Sequence, residues 1–435
     1  MVLSYFIFEN SKKQRKETYV VSIIKKVRSS SFFQLTFGSI VSQLIIILVS
    51  PLTTRIYSPE TLGQYTLLIS LVSTIGPVLC LKYDSLIISE KENINVNSAI
   101  VISMINTIGL SVVSLFFYMI YLFSSNKVFS VAQVLILFIL LLLTGLTNIA
   151  MAMSNKEKKY SLIAQVTVIR SLVQNTSLIL FGYFSFGTTG MLMSQLLGTT
   201  SGFKKLVDKF DFAKLHESSK DRVYLKKFFI KHINLVKYSF PAQFINSISY
   251  TILNFFIYEL FGSIIFGFYS ISFRMLGMPL TIISQNVSKI FFKDASDEWN
   301  KGKKFNRALL KSSFTLLLLA IPMVLILFFF SPYLFEIVFG KGWGISGEYV
   351  KILVPMYGVR MVVSALTPSF LICKKQNMEF FFQNSFLVVS ILIYVYSKVQ
   401  SLSVESFLIG ISFSYTIIYL SMYVYIYIIS FGKRD

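Results

Sequence analysis

The chain has 435 residues, 54% of them hydrophobic and only 14% charged, with a mean hydropathy of +0.67. A soluble domain of this length needs far more charge to cover its surface, so a soluble enzyme or binding module is excluded. The net charge of +21 would suit nucleic acid, but the basic residues cluster between long apolar blocks. That is how the cytoplasmic connections of a membrane protein look, and no nucleic-acid partner is expected.

Apolar windows long enough to cross a hydrocarbon core predict an all-α integral membrane protein of about twelve transmembrane helices. Residues 1–31 form a basic segment. Six spans follow at 32–54, 64–81, 98–123, 130–151, 160–181 and 187–203. A basic linker at 204–237 separates them from six more, at 238–260, 264–287, 308–330, 349–373, 380–397 and 407–431. The sixth span is short and rich in Gly and Thr, yet dropping it would put the later basic loops on the wrong side. With a cytoplasmic N-terminus, thirty-three of the 41 Lys and Arg residues face the cytoplasm. Five (Arg55, Lys127, Lys341, Lys351 and Lys398) face outward, an asymmetry that supports this topology. Both termini and the linker are therefore expected in the cytoplasm, and the chain divides into lobes 32–203 and 238–435. Met1 to Asn10 is too short, and lacks the preceding basic region, for a cleavable signal peptide.

The two halves match faintly. Leu62-Gly63-Gln64-Tyr65 opens the second helix and Phe266-Gly267-Phe268-Tyr269 the eighth. Gly76-Pro77 and Gly277-Met278-Pro279 then interrupt those helices at nearly the same offset. Breakers at equivalent places in two halves, here Pro77 and Pro279, point towards a midplane binding site.

Polar residues at spacings of three and four mark faces that avoid lipid. The seventh helix carries Gln243, Ser247, Tyr250, Asn254 and Tyr258, and the eighth carries Ser270, Arg274, Gly277, Thr281 and Ser284. The fifth carries Thr167, Arg170, Gln174 and Ser177, and the tenth Tyr357, Arg360, Ser364 and Thr367. Helix packing explains the small hydroxyl residues but explains three mid-helix arginines less well. A charge at the centre of a membrane helix costs about 2.5–3.5 kcal/mol even on the permissive insertion scale, so each needs a partner or a wet cavity. None of the twenty acidic residues lies in the middle of a span; Asp84, Glu259 and Glu379 only approach the ends. A cationic interior suits an anionic cargo group, and the guanidinium fork matches phosphate. Arg274, Arg360, Arg170, Gln243, Asn254 and Tyr250 are thus the candidate substrate-binding residues, with backbone carbonyls as the alternative partners of each arginine.

Other chemistry is missing. There is no phosphate-cradling loop, no nucleophile with a base and no external loop larger than 331–348 to carry a catalytic domain. Cys80 and Cys373 form no disulfide framework. His216 and His232 read as solvated linker residues, and neither metal nor cofactor is expected.

Three stretches carry a resemblance: 51–65 (PLTTRIYSPETLGQY), Leu81-Lys82-Tyr83-Asp84 with the following Leu86-Ile87-Ile88, and Phe339-Gly340-Lys341-Gly342-Trp343. They resemble polysaccharide-repeat-unit flippases, the Wzx-type branch of the multidrug/oligosaccharidyl-lipid/polysaccharide exporter superfamily, over nearly the whole chain from Phe32. The resemblance implies two six-helix lobes around a central cavity in the bacterial inner membrane. It implies a non-enzymatic cargo cycle, in which an oligosaccharide on a polyprenyl diphosphate crosses the bilayer for O-antigen, lipopolysaccharide or capsule synthesis. Membrane lipids and other polysaccharide assembly proteins would be its partners. In such a fold the cavity wall comes mainly from the first two helices of each lobe, which favours Arg274 over Arg170 and Arg360. The alternatives are a cation exporter of the same superfamily, which would want an acidic residue in its cavity, and a membrane polymerase or ligase.

Overall fold

A computed structural model describes residues 31–124, 130–208 and 212–432. The basic segment 1–31 thus lies, apart from Ser31, outside the described residues. Among those described there is no strand, and nine helices are long and apolar enough to cross a membrane.

In chain order the helices are α1 (Ser31–Ile56), α2 (Pro59–Ile75), α3 (Asp84–Ser89), α4 (Asn93–Ser124), α5 (Val131–Lys156), α6 (Tyr160–Tyr183) and α7 (Gly187–Thr200). The short helices α8 (Phe203–Val207), α9 (Phe212–Lys220) and α10 (Arg222–Lys231) follow. Then come α11 (Phe240–Pro279), α12 (Gln285–Gly302), α13 (Asn306–Phe339), α14 (Gly344–Leu366), α15 (Pro368–Ile372), α16 (Gln376–Gln400) and α17 (Val404–Ser430). The predicted fifth and sixth spans form α6 and α7, but neither meets the length and hydropathy that mark the nine.

The predicted seventh and eighth spans fall on the two parts of α11, two helices joined across a kink at Gly262, whose φ of 80° and ψ of −179° only glycine adopts without strain. Three features depart from the sequence reading. Past Pro279 the helix widens into a π turn, Leu280–Ser284, and continues through α12 to Gly302, well beyond the predicted end. The expected outer loop 331–348 is mostly helix, with only a turn at Gly340–Trp343 between α13 and α14. The linker is helical too, and His232 is no solvated loop residue: its ring packs on Phe228 and its Nε2 lies 3.7 Å from Glu90.

The start of α2 follows from local chemistry. Ser58 caps it by accepting from the Thr61 amide at 3.3 Å, with Pro59 in the first turn and Glu60 against the helix dipole. Gly76-Pro77 ends it in a 3₁₀ turn, and Asn148 donates to the Gly76 carbonyl at 2.9 Å. Burial follows the membrane. On α13, Phe314, Leu318, Phe329 and Tyr333 are exposed as a lipid-facing surface must be, whereas α14 is the most enclosed of the nine.

Below the end of α2, Tyr83 stacks on Phe229 and donates to its carbonyl at 2.8 Å, which docks α10 beneath α3. Next to it, burial raises the Asp84 carboxyl above its usual range, with Lys82 only partly offsetting this, and one carboxylate oxygen lacks a partner among the described residues. A carboxyl with a raised folded pKa holds its proton more tightly folded than unfolded, so ionisation costs stability above the unfolded pKa. Asp84→Asn is therefore expected to raise the melting temperature at pH 7. The gain should shrink as pH falls towards 4, and a lower melting temperature at pH 7 would show that the carboxylate is a stabilising contact.

Candidate functional site

Three arginines were expected to share one cationic cavity. The structure gives each its own neighbourhood. Arg170, on α6, donates to Thr147 of α5 at 2.9 Å, while its Nε is buried without a partner among the described residues. It lines none of the cavities described below. Arg360, on α14, stands 5.3 Å from the Tyr357 ring inside a chamber in the second half of the chain. Arg274, on α11, faces Tyr65 of α2, where the two halves of the chain meet.

The chamber has a volume of about 260 Å³ and lies between α11, α14, α16 and α17. The whole tenth-helix stripe lines it: Tyr357, Arg360, Ser364 and Thr367. From α11 come Asn246, Ser249, Leu253 and Ile257, the face beside the one predicted, together with Tyr269. At its mouth Ser288, Thr367 and Glu379 continue into a groove against α12, where Lys289 and Lys293 stand. Sequence reasoning set Glu379 aside as a residue near a span end and missed Gln383 and Tyr415. The signal for Glu379 and Gln383 was the spacing of four on α16, which puts an acid and an amide on one face.

The predicted stripe of the seventh helix does something else. Asn254 is 7% exposed and donates to Ser70 of α2 at 2.9 Å; Thr251 pairs with Thr74 at 2.6 Å. Gln243 stays partly buried outside the cavities, and the Tyr250 side chain lies outside the described residues. This face is a seam between α2 and α11. The repeated glycines make it close: a Cβ on Gly63 would come within 1.9 Å of the Ser263 carbonyl oxygen, and one on Gly267 within 1.8 Å of that of Pro59. The contact is reciprocal, each glycine meeting the counterpart of the other's neighbour, as at a two-fold interface. Above Tyr65, Gln195 accepts from the phenol at 3.1 Å and from Gln174.

The seam is capped at one end by two of the stretches that carry the sequence resemblance. Thr54 donates to the Phe339 carbonyl at 2.9 Å, and the Trp343 indole donates to the Thr54 carbonyl at 3.1 Å while its ring meets Phe268 edge-on. The bundle is thus sealed at the end holding the α1–α2 turn and the Gly262 bend. The chamber opens at the other end. Its mouth at Ser288 lies 26 helical residues beyond Gly262, about 39 Å at 1.5 Å per residue.

A family model described as polysaccharide biosynthesis protein matches residues 52–346. No curated protein matches the chain. Solved structures do. The lipid II flippase MurJ in an inward closed conformation superposes with a TM-score of 0.69 at 15% identity, over 90% of this chain and 86% of that one. A multidrug resistance MATE family transporter of the MOP superfamily, inward-facing, gives 0.65 at 14% identity over 91% and 94%. An outward-facing conformation of such a transporter gives only 0.58, at 15% identity over 92% and 94%. The fold is theirs.

Proposed function

The chain belongs to the polysaccharide biosynthesis protein family and is a multi-pass membrane protein with a transporter fold, and from that premise we propose that it is a lipid-linked oligosaccharide flippase. The cargo is an oligosaccharide repeat unit on a polyprenyl diphosphate, carried from the cytoplasmic to the outer leaflet of the bacterial inner membrane for surface polysaccharide assembly. The protein acts by alternating access of two lobes, 32–203 and 238–435, and makes or breaks no covalent bond. The observation that carries the reading is Arg274: a guanidinium at the seam between the halves, with no hydrogen bond or ion pair among the described residues. A partner brought by the cargo would complete it, and a diphosphate has the oxygens to do so in bidentate fashion. The bonds that hold the seam are weak, ~0.6 kcal/mol for a typical membrane hydrogen bond, so the halves can part when cargo binds.

Glu379 favours a second reading. An exporter of cations wants a carboxylate in its cavity, and Glu379 lines both chamber and groove with no ion pair among the described residues. Against it, Arg360 shares the chamber and repels a cation.

The charge asymmetry of the loops supports a sealed end that faces outside and a chamber mouth that faces the cytoplasm. Reporter fusions after Asp221 and at the C-terminus should be active only with a cytoplasmic reporter. Periplasmic activity at either site would reverse the direction of the cycle.

A further inference from the structure

At the sealed end lies a second cleft, of about 330 Å³, between α2, α4, α5 and the part of α11 before Gly262. That is at the low end of the roughly 300–1,000 Å³ of small-molecule pockets. Its polar lining is Tyr118, Tyr121, Tyr258, Gln64, Gln133 and Ser130, over a floor of leucine and valine, and no lining residue among those described carries a charge. In a chain of net charge +21 this is a selective feature. An ionic ligand would lose its hydration here with no charged lining residue, among those described, to compensate it.

The polar groups are partly fixed and partly unused. Thr188 donates to the Gln64 amide oxygen at 2.9 Å. Gln133 donates to Thr189 at 3.5 Å, and its own amide oxygen has no partner among the described residues. The Tyr118 hydroxyl has none either, and its ring neighbours Tyr121 and Tyr258. Interfacial tyrosines commonly form a lipid-facing belt. On α4, however, the lipid face belongs to Phe116, Phe117 and Ile120, 64%, 64% and 48% exposed, while Tyr118 is turned inward and half-buried.

Phenol rings beside amides that still have a donor or acceptor to offer match one chemistry: a sugar ring, with an apolar C–H face to lie on an aromatic and paired hydroxyls to bridge an amide. We propose that this cleft is a binding site for an uncharged saccharide segment on the outer face, distinct from the chamber and from Arg274. It rests on the flippase reading for its source, the glycan that has crossed. Because Tyr258 belongs to α11 and the other lining residues to the first half, the site is complete only while the sealed end is closed, so an occupied cleft holds that end shut.

The test uses the full chain in nanodiscs and a panel of diazirine-bearing tetrasaccharides of hexose and N-acetylhexosamine, with a matched panel carrying a uronic acid. Light should attach at least one neutral probe to the peptides holding Tyr118 and Gln133, and the acidic probes much less. Labelling should fall roughly fivefold or more in Tyr118→Ala and Gln133→Ala, and less in Tyr118→Phe, which keeps the ring. Ile139→Ala, on the lipid face of α5, should label like the parent and reports on folding. No labelling by any neutral probe, or equal labelling of the Tyr118→Ala and Gln133→Ala proteins, overturns the proposal. Inorganic diphosphate should not compete, and competition by it would also count against a neutral site. Export is measured separately. A chain that exports glycan but leaves the cleft unlabelled loses this inference alone, and one that labels but moves no lipid-linked cargo loses the flippase reading alone.

Discussion

Arg274→Ala is expected to stop export of the surface glycan, with lipid-linked units accumulating on the inner leaflet of cells that lack a second copy of the gene. Arg274 faces Tyr65 but makes no hydrogen bond or ion pair among the described residues, so its removal breaks no such bond and should leave the protein level unchanged. On the flippase reading, what it removes is the cargo's counter-charge. Losing one partner of a hydrogen-bonded charge pair costs about 2–5 kcal/mol, a fall of roughly 30-fold or more in affinity for the diphosphate. Arg274→Lys should keep part of the activity, because the charge survives and the bidentate fork does not. Quantifying surface glycan, inner-leaflet lipid-linked glycan and protein level together checks this. A well-expressed, fully active Arg274→Ala protein would return Arg274 to a packing role.

Gly267→Ala should be the second large effect. Its Cβ would stand 1.8 Å from the Pro59 carbonyl oxygen, a backbone atom that cannot rotate away, so the seam must open or α11 must move. Overpacking of this kind costs about 1–3 kcal/mol, more than the bonds that hold Asn254 to Ser70 and Thr251 to Thr74 contribute. The expected outcome is a shift away from the sealed form and a loss of most export. A cysteine at position 254 reports on it. In the parent that position is buried against Ser70, so a membrane-impermeant maleimide should react slowly. In the Gly267→Ala background it should react at least several-fold faster. Unchanged reactivity with full export would mean that the seam is not what seals the bundle.

Composition and hydropathy were enough to read a helical membrane protein, because lipid leaves the backbone no other way to satisfy its polar groups over these lengths. The spacing rule also found the polar faces. It could not say what each faces. On α11 the stripe through Asn254 meets α2, and the chamber takes the adjoining face through Asn246 and Ser249; both are polar, so periodicity alone does not separate them. Tyr357, Arg360 and Ser364 of α14, with Thr367 just past its end, do line the chamber together. Glu379 was set aside because it sits at the start of α16, where a sequence window sees a helix end, while the bundle folds that end over the chamber mouth. The repeat was legible through Gly63 and Gly267, but their reciprocal contact depends on the bend at Gly262, whose angle no neighbour in the sequence announces.

The central claim is that this protein moves a lipid-linked glycan across a bilayer. Purified full-length protein in vesicles carrying a fluorescent polyprenyl-diphosphate oligosaccharide tests it directly, with an impermeant quencher reporting how much of the lipid has changed leaflet. The account predicts transfer roughly tenfold or more above protein-free vesicles, and most of that gain lost with Arg274→Ala. Transfer no faster than in protein-free vesicles, alongside uptake of a cationic dye that Glu379→Gln abolishes, would contradict it and establish the cation exporter instead.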